Sequence, residues 1–371
     1  MKKQIIKLTL FALVAISFVL NPEDGRAQQG AKQADMTIDA ATRTQVIDAV
    51  LKELNDRYVF PEVAKQMETN IRQRIGSKEY DSITSAEGFA KKLTEDLQSV
   101  SKDKHLRVRY SEQLIPVRKQ GGEPNPEERA QFENYMKRIN FAFEKVERLP
   151  GNIGYIKLNN FFAPELGAET VAAAMNFVTN TDALIFDLRE NGGGDPEMVA
   201  LISSYLFGDK PVHLNSLYWR EGNRTEDFFT KPTVIGKKYG DKDVYILTAN
   251  RTFSAAEEFT NNLKVLKRAT IVGETTGGGA NPGGMFRVGE HFGVFVPTGR
   301  AVNPITKTNW EGTGVEPDVK VSKELALKTA YLTALNKSLE KTKDEDFKRG
   351  LKDVIEKTQK ELDDMKKVAQ K

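Results

Sequence analysis

Apolar positions recur first with the period of a helix and later with the period of a strand, and the change divides the chain. Between Ile38 and Tyr58 they stand at Val46, Ile47, Val50, Leu51 and Leu54, the one-sided stripe of an amphipathic helix. Pro61 can open a second helix, with Val63, Met67, Ile71 and Ile75 at helical spacing and Gly76 at its end. Thr84-Ser85-Ala86-Glu87 reads as a capping box ahead of a third, which bears Phe89, Leu93 and Leu97. From Asp103 to Tyr110 the period becomes two, marking the first strand of a different domain.

Beyond that point strands and helices alternate. Asn152–Leu158 reads as a strand, Glu165–Asn180 as a helix with Val171, Met175 and Val178 inward, and Ala183–Leu188 as a fully apolar strand followed by a helix over Pro196–Leu206. Val244–Leu247 is a strand that breaks into a polar turn and a helix carrying Ser254; Thr270–Val272 is another strand and His291–Thr298 a hairpin-like segment. This alternation predicts an α/β layered sheet. Gly121–Glu128 is expected to be a polar loop. From Ser322 onward Leu325, Leu332, Leu335 and Leu339 line one face of charged helices, expected to pack or interact and to lie outside the site. The predicted domains are a helical one over 37–102, an α/β one over 103–321 and C-terminal charged helices over 322–371.

Composition adds a compartment. Lys2, Lys3 and Lys7 precede the apolar run Leu8–Leu20, and Gly25 and Ala27 supply small residues after it, so 1–27 reads as a secretory signal peptide and 28–36 as a linker. The run is too short for a stable membrane anchor. The chain contains no cysteine, which removes disulfides, thiolate metal sites and cysteine lipidation. Its formal charge of +3 falls to about +1 without the leader, and nothing argues for nucleic acid. The expected location is the periplasm or beyond.

Two stretches can carry chemistry. In Asp187–Pro196 (DLRENGGGDP) a buried strand gives way to three consecutive glycines, whose N–H groups can approach a ligand unobstructed, as an oxyanion site requires. No Gly-Lys-Ser/Thr follows, which separates it from a Walker loop. In Val244–Phe259 the strand-to-helix turn can expose the Ser254 hydroxyl; a capping role with Glu257 is the competing reading. The histidines are His105, His213 and His291. His105 stands where a strand begins, His213 alternates with apolar neighbours as a strand residue does, and His291 at a hairpin edge is the weaker rival. Their spacing makes a poor metal site, and the chemistry needs no cofactor.

With Asn250–Phe259 (NRTFSAAEEF), Val272–Thr276 (VGETT) and Gly312–Val319 (GTGVEPDV), the glycine stretch forms a set that resembles the C-terminal processing, or tail-specific, serine proteases over roughly residues 37 to 321. Leu54–Pro61 (LNDRYVFP), and the lack of room for a PDZ domain between His105 and Asn152, resemble the branch of the tricorn core protease and the interphotoreceptor retinoid-binding protein repeats. The resemblance implies a ClpP/crotonase-like layered core and a serine peptidase acting on peptides or unfolded proteins. Where one branch carries its catalytic lysine this chain has Gly279, so that dyad is excluded there. The other branch pairs serine with a histidine near the domain start and a glutamate ahead of the Gly-Val-x-Pro-Asp element, implying Ser254, His105 and Glu311. The oxyanion donors implied are the amides of Ala255 and of Gly193 or its neighbour. Lys104 stands where that branch can have a serine orienting the histidine, leaving the role to another group such as Asp103. An exported ligand-binding or scaffolding protein on the same fold is the alternative.

Overall fold

The computed structural model describes residues 34–117 and 125–369; the expected signal peptide and most of the expected linker lie outside them. In chain order the elements are α1 (Ala40–Arg57), α2 (Pro61–Gly76), α3 (Ala86–Ser101), β1 (Arg107–Tyr110), α4 (Pro126–Arg138), β2 (Phe143–Leu149), β3 (Ile153–Leu158), α5 (Pro164–Val178), β4 (Ala183–Asp187) and α6 (Pro196–Ser204). There follow β5 (His213–Trp219), β6 (Arg224–Phe229), β7 (Asp243–Thr248), α7 (Ala255–Val265), β8 (Thr270–Gly273), β9 (Gly283–Arg287), β10 (Phe292–Pro297), β11 (Gly299–Val302), β12 (Val319–Lys320), α8 (Lys323–Lys341) and α9 (Glu345–Ala369). Among the described residues no helix is long and apolar enough to cross a membrane.

The chain divides into two compact units. One takes the residues up to Phe132 with Tyr218–Arg224 and Asn281–Arg300; the other takes Glu133–Leu217, Thr225–Ala280 and Ala301 onward. In the first, α1, α2 and α3 bury the predicted stripes, including Val50, Leu54, Met67, Ile71, Phe89 and Leu93, against Val108 of β1 and Phe292, Val294 and Val296 of β10. The three strands form an antiparallel sheet in the order β1-β10-β9. Ser85, one residue later than the predicted cap, accepts the Gly88 N–H at 2.8 Å and starts α3.

The second unit is built on a six-stranded sheet, β12-β8-β7-β4-β3-β2, parallel throughout except where β2 runs antiparallel to β3. Successive side chains of a strand point to opposite faces, and each face is covered. Leu184, Phe186, Val244 and Ile246 pack under α5, α6 and α7 with Val171, Val199 and Phe259. Ala183, Ile185, Tyr245 and Leu247 pack on the other face with Ala326, Ala330, Ala334 and Leu335 of α8 and Leu351 of α9. The C-terminal helices therefore belong to this unit's core. The mixed α/β layering is the one predicted.

Several elements had no signal in the periodicity, among them the short strands β6, β9, β11 and β12, the helix α4 and the strand β2. α4 begins at Pro126, inside the expected loop, and buries only Met136; acids in its first turn and Lys137 and Arg138 in its last favour it through the helix dipole. β2 fully buries only Phe143 as an edge strand, so its pattern is mostly polar. If α8 is core, Leu335→Ala, at a position with no solvent exposure, will lower unfolding free energy by about 2–5 kcal/mol. Urea denaturation checks this; a change below about 0.5 kcal/mol would make α8 an appendage.

Candidate active site

In a parallel sheet, ligands bind beyond the carboxyl ends of the strands, and three consecutive neighbours, β4, β7 and β8, each deliver one loop there. β4 leads into Leu188–Asp195, β7 into Ala249–Ser254, and β8 into Glu274–Ala280. Side chains from these loops tie them together. Asn191, fully buried, donates from Nδ2 to Leu158 O at 2.8 Å and accepts the Phe253 N–H on its own carbonyl at 3.0 Å. Thr252 donates from Oγ1 to Leu188 O at 2.7 Å, and its carbonyl accepts the Gly277 N–H at 2.9 Å.

Ser254 sits at the turn into α7 with φ +55° and ψ −122°. A positive φ in a residue with a Cβ is strained and persists only where its surroundings enforce it. Glu257 is one enforcer. Its carboxylate accepts the Ser254 N–H at 2.9 Å, Thr276 Oγ1 at 2.5 Å, the Gly278 N–H at 2.6 Å and the Gly279 N–H at 2.8 Å. Burial raises its pKa, an effect the four donors counter. The capping partner expected for Ser254 thus also fixes the loop after β8.

Gly193 is the closest part of the glycine loop to the serine. A Cβ there would fall 2.7 Å from Ser254 Cβ and 2.9 Å from Ala255 N, and its φ of +108° also demands glycine. Its own N–H donates to Asn191 Oδ1 at 2.8 Å. The Ala255 N–H, the first of α7, has no acceptor among the described residues. The structure therefore brings Ser254, Ala255 and Gly193 together.

Glu311 lies in the same unit, half-buried. Its Oε2 accepts the Ala280 N–H at 2.6 Å, and the preceding Trp310 donates from Nε1 to Gly279 O at 2.7 Å. Its rival Glu316 is exposed, and Asp318 caps the Ile271 N–H at 2.8 Å. A hydrogen-bonded path thus runs from Ser254 through Glu257 and the loop 278–280 to Glu311.

His105 belongs to the other unit, where its ring stacks on Phe295 at 5.9 Å. Its Nδ1 is 3.9 Å from Asp103 Oδ1, which accepts the His105 backbone N–H at 3.0 Å. Asp103 is buried, and its Oδ2 accepts from Asn281 Nδ2 at 2.9 Å and Tyr58 OH at 3.2 Å. Burial, with Arg107 adding repulsion, lowers the His105 pKa to about 3, and burial raises that of Asp103. Lys104 is exposed. His291 and Ser111 O lie 2.9 Å apart at the hairpin; His213 is 3.0 Å from Ser216 Oγ and stacks on Phe229.

Residues 152–321 match Peptidase family S41, and residues 36–149 match the N-terminal domain of Peptidase_S41 in eukaryotic IRBP. The chain belongs to peptidase family S41. It is 28% identical over 186 residues to carboxyl-terminal-processing peptidase 1, chloroplastic, of Arabidopsis thaliana, covering 49% of this chain and 36% of that protein. With the carboxy-terminal-processing protease of Bartonella bacilliformis it shares 25% identity over 184 residues, 48% of this chain and 41% of the other. It therefore spans well under half the length of these relatives. The fold is that of a solved protein from Parabacteroides merdae, at TM-score 0.54 and 18% identity, over 76% of this chain and 90% of that one. A lipoprotein from Streptococcus agalactiae aligns at TM-score 0.50 and 15% identity over 82% of this chain and all of that one.

Asn191, Thr252, Thr276 and the loop-binding side of Glu257 were not singled out in the sequence. All lie in or beside the four motifs, so position in a motif was the available signal. The packing at Gly193 predicts that Gly193→Ala, measured on folded protein of unchanged melting profile, will lower turnover by about a hundredfold or more by displacing Ser254 and Ala255. Turnover within about twofold of the parent would make the loop a passive turn.

Proposed function

We propose that the chain is an exported serine peptidase in which Ser254 attacks a peptide carbonyl, His105 takes its proton and Glu311 steers the polar network. The observation that carries this reading is Ser254 itself: a strained serine beside the unclaimed first N–H of α7, with Gly193 packed against it. Strain of this kind at a helix N-terminus presents a nucleophile next to donors for the developing oxyanion. Ala255 N–H supplies one donor; the second comes from the glycine loop, where Gly193 must share or release its bond to Asn191, or Gly194 serves in its place. Gly279 offers no base, and no lysine fills that position.

Burial keeps His105 neutral, the form that can accept the serine proton, while making it a weaker base than an ordinary imidazole until a partner for the charged ring is in place. We assign the orienting place that Lys104 leaves open to Asp103, whose Oδ1 lies 3.9 Å from Nδ1 and would have to close on it as the ring takes a proton. Export rests on the leader-like 1–27; a peptide or unfolded protein is the substrate class. No metal or cofactor enters the scheme.

Fluorophosphonate labelling tests the nucleophile. The wild type should be labelled and Ser254→Ala should not; an unlabelled wild type, folded by circular dichroism, would leave a binding protein on this fold as the better reading. For the base, His105→Ala should cost at least about a thousandfold in kcat/KM, with His291→Ala costing far less. Equal losses from both substitutions would sink the assignment.

The pH profile carries a separate sign. A histidine held at about 3 stays neutral on acidification, so kcat/KM should hold from neutrality down to about pH 5. An ordinary histidine, with pKa about 6.5, would lose more than tenfold over that range. An acid limb centred near the ordinary value would show that His105 is not the neutral, desolvated base.

A further inference from the structure

The stretch Leu54–Pro61 (LNDRYVFP) stands apart from the site's loops, and its tyrosine is what ties it to chemistry. Tyr58 caps the C-terminus of α1 and is buried. Its backbone is held on both sides: its N–H donates to Leu54 O at 2.9 Å, its carbonyl accepts Arg220 Nη1 at 2.8 Å, and the following Val59 donates its N–H to Pro297 O at 2.9 Å. The ring packs edge-on against Phe60, with centroids 6.0 Å apart. A tyrosine buried this deeply needs a partner for its hydroxyl, and the hydroxyl donates to Asp103 Oδ2 at 3.2 Å.

Asp103 meets donors on both oxygens. Oδ2 accepts Tyr58 OH and, at 2.9 Å, Asn281 Nδ2; Oδ1 accepts the His105 N–H at 3.0 Å and faces the ring Nδ1. Asn281 is buried as completely as the acid, and among the described residues its Oδ1 finds no partner, so the bond to Asp103 is what its side chain does there. The groups around the carboxyl thus come from the end of α1, from the segment ahead of β9 and from its own turn. The titratable ring among them is His105, with Arg107 beside it. A proton on Oδ2 would point at two donors, so these bonds favour the ionised carboxylate. Burial raises the Asp103 pKa, and the bonds from Asn281, the His105 N–H, Tyr58 and the Leu106 N–H act against it.

We propose that Tyr58 and Asn281 are positioning residues for the reaction: by holding Oδ2 they keep Asp103 ionised and turn its Oδ1 toward His105. The inference rests on His105 being the base. A ring that accepts the serine proton on Nε2 carries its own proton on Nδ1. As the ring becomes positive, Nδ1–H closes on Oδ1 and donates to it, and no proton passes to Asp103. A carboxylate fixed on its far oxygen needs no reorientation at that moment, which is how preorganised charge lowers a barrier.

The test measures kcat/KM from about pH 5 to 9, with melting profiles, for the parent, Tyr58→Phe, Asp103→Asn and the double variant. Tyr58→Phe keeps the ring and removes one donor to the ionised form. That raises the Asp103 pKa, so the acid limb should move to higher pH, giving about a tenfold loss at pH 5 that shrinks toward the parent by pH 8. In the Asp103→Asn background the same substitution should change kcat/KM by less than about twofold, a non-additivity that lost packing would not produce. Asn281→Ala should show the same limb shift and the same coupling, and serves if Tyr58→Phe does not fold. A loss equal at every pH and in both backgrounds makes the network structural and overturns the proposal, as does a folded variant with the parent's activity and profile. His105→Ala separates two failures. If it is as active as the parent, the base reading falls and this inference with it; if it is inactive while Tyr58→Phe shows neither limb shift nor coupling, the positioning network alone falls.

Discussion

The Glu257 carboxylate is the constraint on which the site's geometry depends. It is a buried acid whose four donors come from the α7 N-terminus and the loop after β8. Hydrogen bonds to a charged group are worth about 1.5–3 kcal/mol each, so the cost of burying the carboxyl is offset only when both segments are in place. This makes the two loops cooperative. The strained Ser254 backbone is held by the same acid that fixes Gly278 and Gly279, and those glycines in turn present Ala280 to Glu311.

Asn191 does for the loop after β4 what Glu257 does for the loop after β8. Its side chain and carbonyl reach β3, the glycine run and Phe253, so the serine turn is gripped from both sides. Parallel strand order makes this possible: β4, β7 and β8 are adjacent, and their loops emerge at the same edge. A sheet buried on both faces by α5–α7 and α8–α9 gives those loops a rigid base. The two N–H groups nearest the serine are unequal, with that of Gly193 bonded to Asn191 and that of Ala255 open among the described residues.

Much of this was legible in the sequence, for a physical reason. Long elements with a full apolar stripe, such as α1 and α3, and fully apolar strands, such as β4 and β7, announce themselves because their burial is one-sided or complete. α4 and β2 did not, because Met136 and Phe143 are their only fully buried residues. The serine and glycine turns were visible at their strand-to-helix positions, whereas the singling out of Gly193 and Ala255 came only with the family resemblance. Glu257 and Asn191 were hidden because their partners are backbone groups of other loops, and no local spacing encodes a bond to a distant N–H.

His105 and Asp103 show how one departure from the resembling branch can be accommodated. Where a neutral hydroxyl could orient the ring, this chain has the exposed Lys104, and the neighbouring group is a buried carboxyl. Burial acts on the two in opposite senses, lowering the histidine and raising the acid. Under the proposed assignment that balance changes at the moment of reaction. Once the imidazole takes the serine proton, a positive ring 3.9 Å from Asp103 favours an ionised carboxylate, and the pair titrates as a unit. The bonds from Tyr58 and Asn281 already stabilise that carboxylate. Asp103 would then supply orientation at rest and charge in the transition state, tasks a serine hydroxyl divides with other groups.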